Sequence, residues 1–169
     1  MAEFDEARSL LSQQKYKEAA LMLDRIMPDN KNKDEFWYLR GVVSLKLRNY
    51  DAAQESFDRA LMLERKSKYY QIKGMAHFEV FEIDEAVEAF LNALEIEPKN
   101  ATTNFFLSIS YLFLDDPRSE KYIQRAYDAD NKKTKQLLLN FYTLFLKNDM
   151  GMSATQKDKI ESRIHEMKN

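Results

Sequence analysis

The sequence predicts an all-α protein, a solenoid of antiparallel helix pairs. Three observations lead there. Six residue pairs coincide at a single offset of 33 positions: Trp37 with Tyr70, Gly41 with Gly74, Ala53 with Ala86, Phe57 with Phe90, Ala60 with Ala93, and Leu61 with Leu94. Each period carries two small residues with larger apolar residues around them. Turn formers are scarce, with three Gly and three Pro in 169 residues, whereas a β-rich fold would need more of them.

The pattern runs in both directions from this central pair of repeats. Upstream, Ala7 takes the place of Gly41, Tyr16 aligns with Tyr50, Ala19 with Ala53, Leu23 with Phe57 and Ile26 with Ala60. Downstream, Ser108 takes the place of Gly74, Ser119 of Ala86, Ile123 of Phe90 and Ala126 of Ala93. Two antiparallel helices approach closely only where their side chains are small, so a small residue on each lets ridges and grooves mesh. One such pair cannot bury its apolar face alone, and stacked neighbours cover it.

Helices are expected over 2–13 and 16–28, 34–48 and 50–64, 67–80 and 83–96, and 101–114 and 117–129. A less repeat-like pair follows at 134–148 and 153–168. Asp34, Asp116 before Pro117, and Ser153 with Gln156 three residues later read as helix starts, the last as a capping box. Gly151 reads as the break before the final helix. That helix puts Ile160, Ile164 and Met167 on one face and is expected to cap the stack by covering Leu137, Phe141 and Leu144.

The order Trp37, Gly41, Tyr50, Ala53, Phe57, Ala60 resembles the tetratricopeptide repeat, and Pro98 stands where that family often has proline. The resemblance covers residues 2–133. It implies a right-handed α-solenoid forming a single domain over 1–169, with repeats at 1–33, 34–66, 67–100 and 101–133 and a capping pair at 134–169. Four features depart from the family pattern: Arg40 in place of Leu, Arg65 in place of Pro, Asn104 in place of an aromatic, and a turn one residue short before Ser119.

Composition narrows the function. The net charge of −2 gives no basic stripe for nucleic acid. Lys132, Lys133 and Lys135 form a local cluster that reads either as a weak site for an anionic partner or as a solubility feature. Without cysteine there is no disulfide or thiolate metal site, which fits the expected cytoplasmic location. No apolar run reaches the roughly 18 residues of a membrane span. His77 reads as a packed histidine and His165 as an exposed one, and no ligand cluster, phosphate loop or nucleophile motif is present. No cofactor, metal or enzymatic activity is expected. An enzyme or nucleic-acid factor is the remote alternative.

In the family that the chain resembles, the first helices of successive pairs line a concave ligand groove. Carried over by alignment, the groove positions are Phe4, Arg8 and Leu11; Tyr38, Val42 and Leu45; Gln71, Met75 and Phe78; and Phe105, Ile109 and Leu112. Glu35, Lys46, Lys68 and Glu79 stand at the edges. The positions of the family's carboxylate clamp hold Phe4, Arg8, Leu39, Lys68 and Ile72, which argues against that mode. Any single one of these residues is as readily read as filling the solenoid core, but an apolar strip of this size marks an interaction surface. The expected partner is a protein or peptide, an amphipathic helix above all. A self-associating scaffold is the alternative.

Overall fold

The computed structural model describes residues 2–146 and 152–168. Among them all regular structure is helical: α1 (Ala2–Ser12), α2 (Tyr16–Asn30), α3 (Asp34–Lys46), α4 (Tyr50–Leu63), α5 (Ser67–Glu79), α6 (Ile83–Ile96), α7 (Ala101–Phe113), α8 (Arg118–Ala129), α9 (Asn131–Phe141) and α10 (Ala154–Lys168), with a π-helical turn at Tyr142–Leu146. Gly151 and the side chains of Phe145, Ile164 and Met167 lie outside the described residues. The helices form two compact units, Met1–Val80 with α1–α5 and Phe81–Asn169 with α6–α10. The boundary falls inside the third repeat.

In the first unit the small residues sit where the helices cross. Ala7, Ala19, Gly41 and Ala53 are all buried. A Cβ built on Gly41 would lie 2.6 Å from Cδ1 of Phe57, and Phe57 is itself fully buried, so it has nowhere to retreat. Gly41 and Phe57 are thus one packing unit across the α3–α4 crossing. Leu23, Ile26, Phe36, Trp37, Leu39, Val43 and Tyr69 complete the core. Each such buried side chain contributes roughly 1.5–3 kcal/mol.

In the second unit α7 is the central element and nearly all its side chains are buried. Phe106 stacks on Phe90 of α6 at 6.0 Å. Ser108 and Ser119 meet across the α7–α8 crossing, where Ser108 Oγ donates to the Ser119 carbonyl at 2.8 Å. They stand eleven residues apart where the other crossing pairs stand twelve, and the short spacing still brings them together.

The departures from the repeat pattern have local reasons. Arg40 pairs with Asp24 of α2 at 2.9 Å. Arg65 donates from Nε to the Tyr70 hydroxyl at 3.0 Å. Asn104, fully buried, donates to the carbonyls of Pro98 and Asn100 at 3.0 and 2.9 Å and so ties the preceding loop to α7. Two helix starts differ from expectation. Helix α9 begins at Asn131 instead of 134 because Asp130 caps it, accepting from the Lys133 N–H at 2.9 Å. Asp34 opens α3 without capping it, because its carboxylate is held by Lys66 and Tyr69 instead.

One regularity has no glycine or asparagine to announce it. Gln14, Arg48, Phe81 and Asp115 all have φ between 52° and 61°. Each sits in a connection between two helices, and Gln14, Arg48 and Asp115 stand in the turns of the α1–α2, α3–α4 and α7–α8 pairs.

Candidate peptide-binding faces

In the first unit, helices α1, α3 and α5 bring together five of the residues expected at the groove. Arg8 donates to Glu35 at 2.7 Å. The Lys68 ammonium reaches the same carboxylate at 3.9 Å. A charged row therefore bridges all three helices. Aromatic rings lie beneath it, with the Arg8 guanidinium 4.6 Å from the Phe4 ring and Lys68 Nζ 5.1 Å from the Tyr38 ring. Tyr38 stacks on Tyr69 at 5.0 Å, and burial pushes its phenol upward from its ordinary pKa. Phe4, Leu11, Val42, Gln71 and Met75 are half-buried.

Glu35 and Lys68, expected as edge charges, are partners in one ion chain. Glu79 accepts from the Tyr50 hydroxyl at 3.5 Å, while Lys46 is exposed. At the clamp positions, Leu39 is core, and Arg8 and Lys68 both pair with Glu35.

Tyr69 is a residue that sequence reasoning did not single out. It supports Tyr38 from below and donates its hydroxyl to Asp34, which also accepts from Lys66 at 2.6 Å. Burial alone would raise the Asp34 carboxyl. The hydrogen bonds from Lys66 and Tyr69 outweigh burial and hold it below the ordinary carboxylate value. Burial and the Asp34 charge together raise the Tyr69 phenol.

Five of the expected groove residues are buried and do not line an open strip as they stand. Leu45 packs with Ala53, Phe57 and Ala76 in the first unit's core. Phe78 is buried as well. In the second unit Phe105 is 1% exposed and meets Phe141 edge-on at 6.3 Å. Ile109 and Leu112 are covered too, and with Leu138 they line a small cavity closed on one side by Ile160 of α10.

The seating of α10 rests on a glutamine. The expected capping box forms, with Gln156 Oε1 accepting from the Ser153 N–H at 2.8 Å and Ser153 Oγ accepting from the Gln156 N–H at 3.2 Å. The other end of the same amide was not foreseen: Gln156 Nε2 donates to the Leu112 carbonyl at 2.8 Å, in the last turn of α7. The same carbonyl also accepts from the Asp115 N–H at 3.1 Å, and the glutamine contact ties α10 to a polar helix end as well as to an apolar face. The cover differs from the expected one. Phe141 is buried, but Leu144 is 59% exposed, and it is Leu138 that faces the cavity beside Ile160.

Among the described residues no acidic or histidine cluster could hold a metal, and no helix is long and apolar enough to cross a membrane. His77 is buried, with Nδ1 3.2 Å from Gln54 Nε2.

Profiles of the tetratricopeptide repeat match residues 34–67 and 67–100. Residues 34–100 are two such repeats in tandem, and the described residues share the fold of tetratricopeptide-repeat structures. No curated protein matches it in sequence. Among solved structures it is similar to MamA from Desulfovibrio magneticus RS-1, with 20% identity and a TM-score of 0.72 over 99% of this chain and 96% of that one. It is similar to YrrB, described as having an unusual peptide-binding site, with 20% identity and a TM-score of 0.69 over 77% and 68%. It also resembles the second tetratricopeptide domain of human RPAP3, solved in complex with an HSP70 peptide, with 24% identity and a TM-score of 0.60 over 64% and 91%.

Proposed function

We propose that the chain is a protein-interaction module whose α1–α3–α5 face binds an amphipathic helical segment of another protein. The observation that carries this reading is the second unit, where groove positions Ile109 and Leu112 already sit under an amphipathic helix, α10. The first unit offers the same kind of surface with part of it exposed: Phe4, Tyr38, Val42 and Met75, crossed by the Arg8–Glu35–Lys68 row. Apolar anchors would settle on the rings and Met75, whose flexible side chain adapts to different shapes. The exposed ion chain would favour an orientation through weak, salt-sensitive contacts. RPAP3, solved with an HSP70 peptide, and YrrB, with its peptide-binding site, support a peptide ligand by analogy of fold.

The test is selection from a displayed peptide library. The protein should enrich peptides with apolar residues at three- and four-residue spacing. Tyr38→Ala should weaken them by about 1–2 kcal/mol, roughly 5- to 30-fold. Met62→Ala, at a position 86% exposed on α4, should leave affinity unchanged. Equal loss in both variants, or no helical spacing among the selected peptides, would refute the reading.

A further inference from the structure

We propose that the edge of the second unit formed by Phe81, Phe113 and Leu114 is an interaction surface for a segment of another protein that carries an apolar anchor flanked by basic residues. This edge is separate from the α1–α3–α5 face, and the proposal does not depend on that one.

Two observations carry this. The first is that Phe81 stands where neither backbone nor burial favours a phenylalanine. Its φ of 61° lies in the left-handed region, which suits glycine and asparagine and strains other L-residues. At Gln14, Arg48 and Asp115 exposed polar side chains occupy the same conformation. Phe81 instead holds out a phenyl ring that is 45% exposed, so burial offsets little of the strain. The ring stands edge-on to that of Phe113 at 6.1 Å, and Phe113 is half-buried. Leu114, next in the chain, is 41% exposed. Single exposed apolar side chains are ordinary, but two rings and a leucine form a patch. Backbone strain kept at an exposed aromatic residue points to a use outside the fold.

The second observation is the charge beside the patch. Asp84 and Glu85 follow Phe81 in the first turn of α6, and Asp115 directly follows Leu114. All three are exposed. Among the described residues none of the three forms an ion pair, and Arg118, in the same turn as Asp115, is engaged by Asp116 at 2.7 Å. Asp115 Oδ1 has the Gln156 amide at 3.4 Å, a long contact that leaves its charge unmatched. An apolar patch with unmatched carboxylates beside it is complementary to an apolar anchor with Lys or Arg on either side. Aromatic residues such as Phe81 and Phe113 supply large contact area to such an anchor.

The experiment is selection of a phage-displayed random peptide library on the full chain, with counter-selection on Phe81→Asn. It should return peptides with a leucine or an aromatic residue between Lys or Arg. Fluorescein-labelled copies of them should bind the unaltered chain at least about tenfold tighter than Phe81→Asn or Leu114→Asn. Tyr38→Ala should bind them like the unaltered chain, which separates this edge from the face of the first unit. Asp115→Asn keeps a residue suited to the turn and removes its charge, and should weaken the peptides about two- to fivefold at low salt. Asparagine also suits the left-handed position of Phe81, so Phe81→Asn should melt at or above the temperature of the unaltered chain. A lower melting temperature would make Phe81 a structural residue and overturn the proposal. So would peptides without basic flanks, equal binding by Phe81→Asn and Leu114→Asn, unchanged binding by Asp115→Asn, or loss of binding in Tyr38→Ala. Dimerisation of the unaltered chain that Phe81→Asn abolishes in light scattering would make a second copy the occupant and likewise overturn it.

Discussion

Tyr38 and Phe105 hold the same register position in their helix pairs and meet different environments. Tyr38 stays half-exposed, stacked on Tyr69 beneath a charged row. Phe105 is buried against Phe141 in a unit where α9 and α10 cover the same side of α7. A register position in a repeat therefore sets direction but not exposure. Exposure depends on what the rest of the chain lays over it. The first unit keeps part of this face exposed, whereas in the second α9 and α10 cover it.

The largest expected effect separates the two positions directly. Phe105→Ala should cost about 3–5 kcal/mol of stability, the usual loss for a fully buried phenylalanine, and chemical denaturation would measure it. If Phe105→Ala melts like Tyr38→Ala, the contrast between the units is lost. A somewhat smaller loss is expected at the α3–α4 crossing. Gly41→Ala gains up to about 1 kcal/mol in helix propensity, but the new methyl group meets the immovable Phe57 ring. Overpacking should win, with a net loss of about 1–3 kcal/mol read from thermal melts. A stabilised variant would show that Phe57 can move and that the crossing is looser than described.

Asp34 underpins the open face through Tyr69, so its titration is a subtler probe. Its carboxyl is held below the ordinary value of 3.8, and a group whose folded pKa is depressed stabilises the fold above its unfolded pKa. Asp34→Asn should therefore lose about 1–2 kcal/mol at neutral pH. The difference from the unaltered protein should shrink as pH falls below about 4 and through the folded pKa. A gap that persists at pH 2 would assign the loss to packing. The smallest effect is expected in the turns. Arg48 is exposed with φ of 59°, a conformation costing an L-residue about 1–2 kcal/mol. Arg48→Gly removes that strain, partly offset by chain entropy, for a gain of about 0.5–1 kcal/mol by urea denaturation.

Local periodicity determined a good deal of this protein. The helix pairs, the small residues at the crossings from Ala7 to Ser119 and the capping box at Ser153 were all legible, because each is set by contacts within one period or one turn. The left-handed turn residues were not, since Gln14, Arg48 and Phe81 carry none of the usual glycine or asparagine signal; at Gln14 and Arg48 the packed helices on either side require that conformation. Nor was the fate of the groove positions. The same spacing that places Tyr38 on an available face places Ile109 and Leu112 under α10. Only tertiary structure decides that, because burial depends on which distant segment reaches the surface. Here a glutamine amide 44 positions beyond Leu112 in the chain, bonded to its carbonyl, makes the difference, and no local pattern encodes a contact of that range.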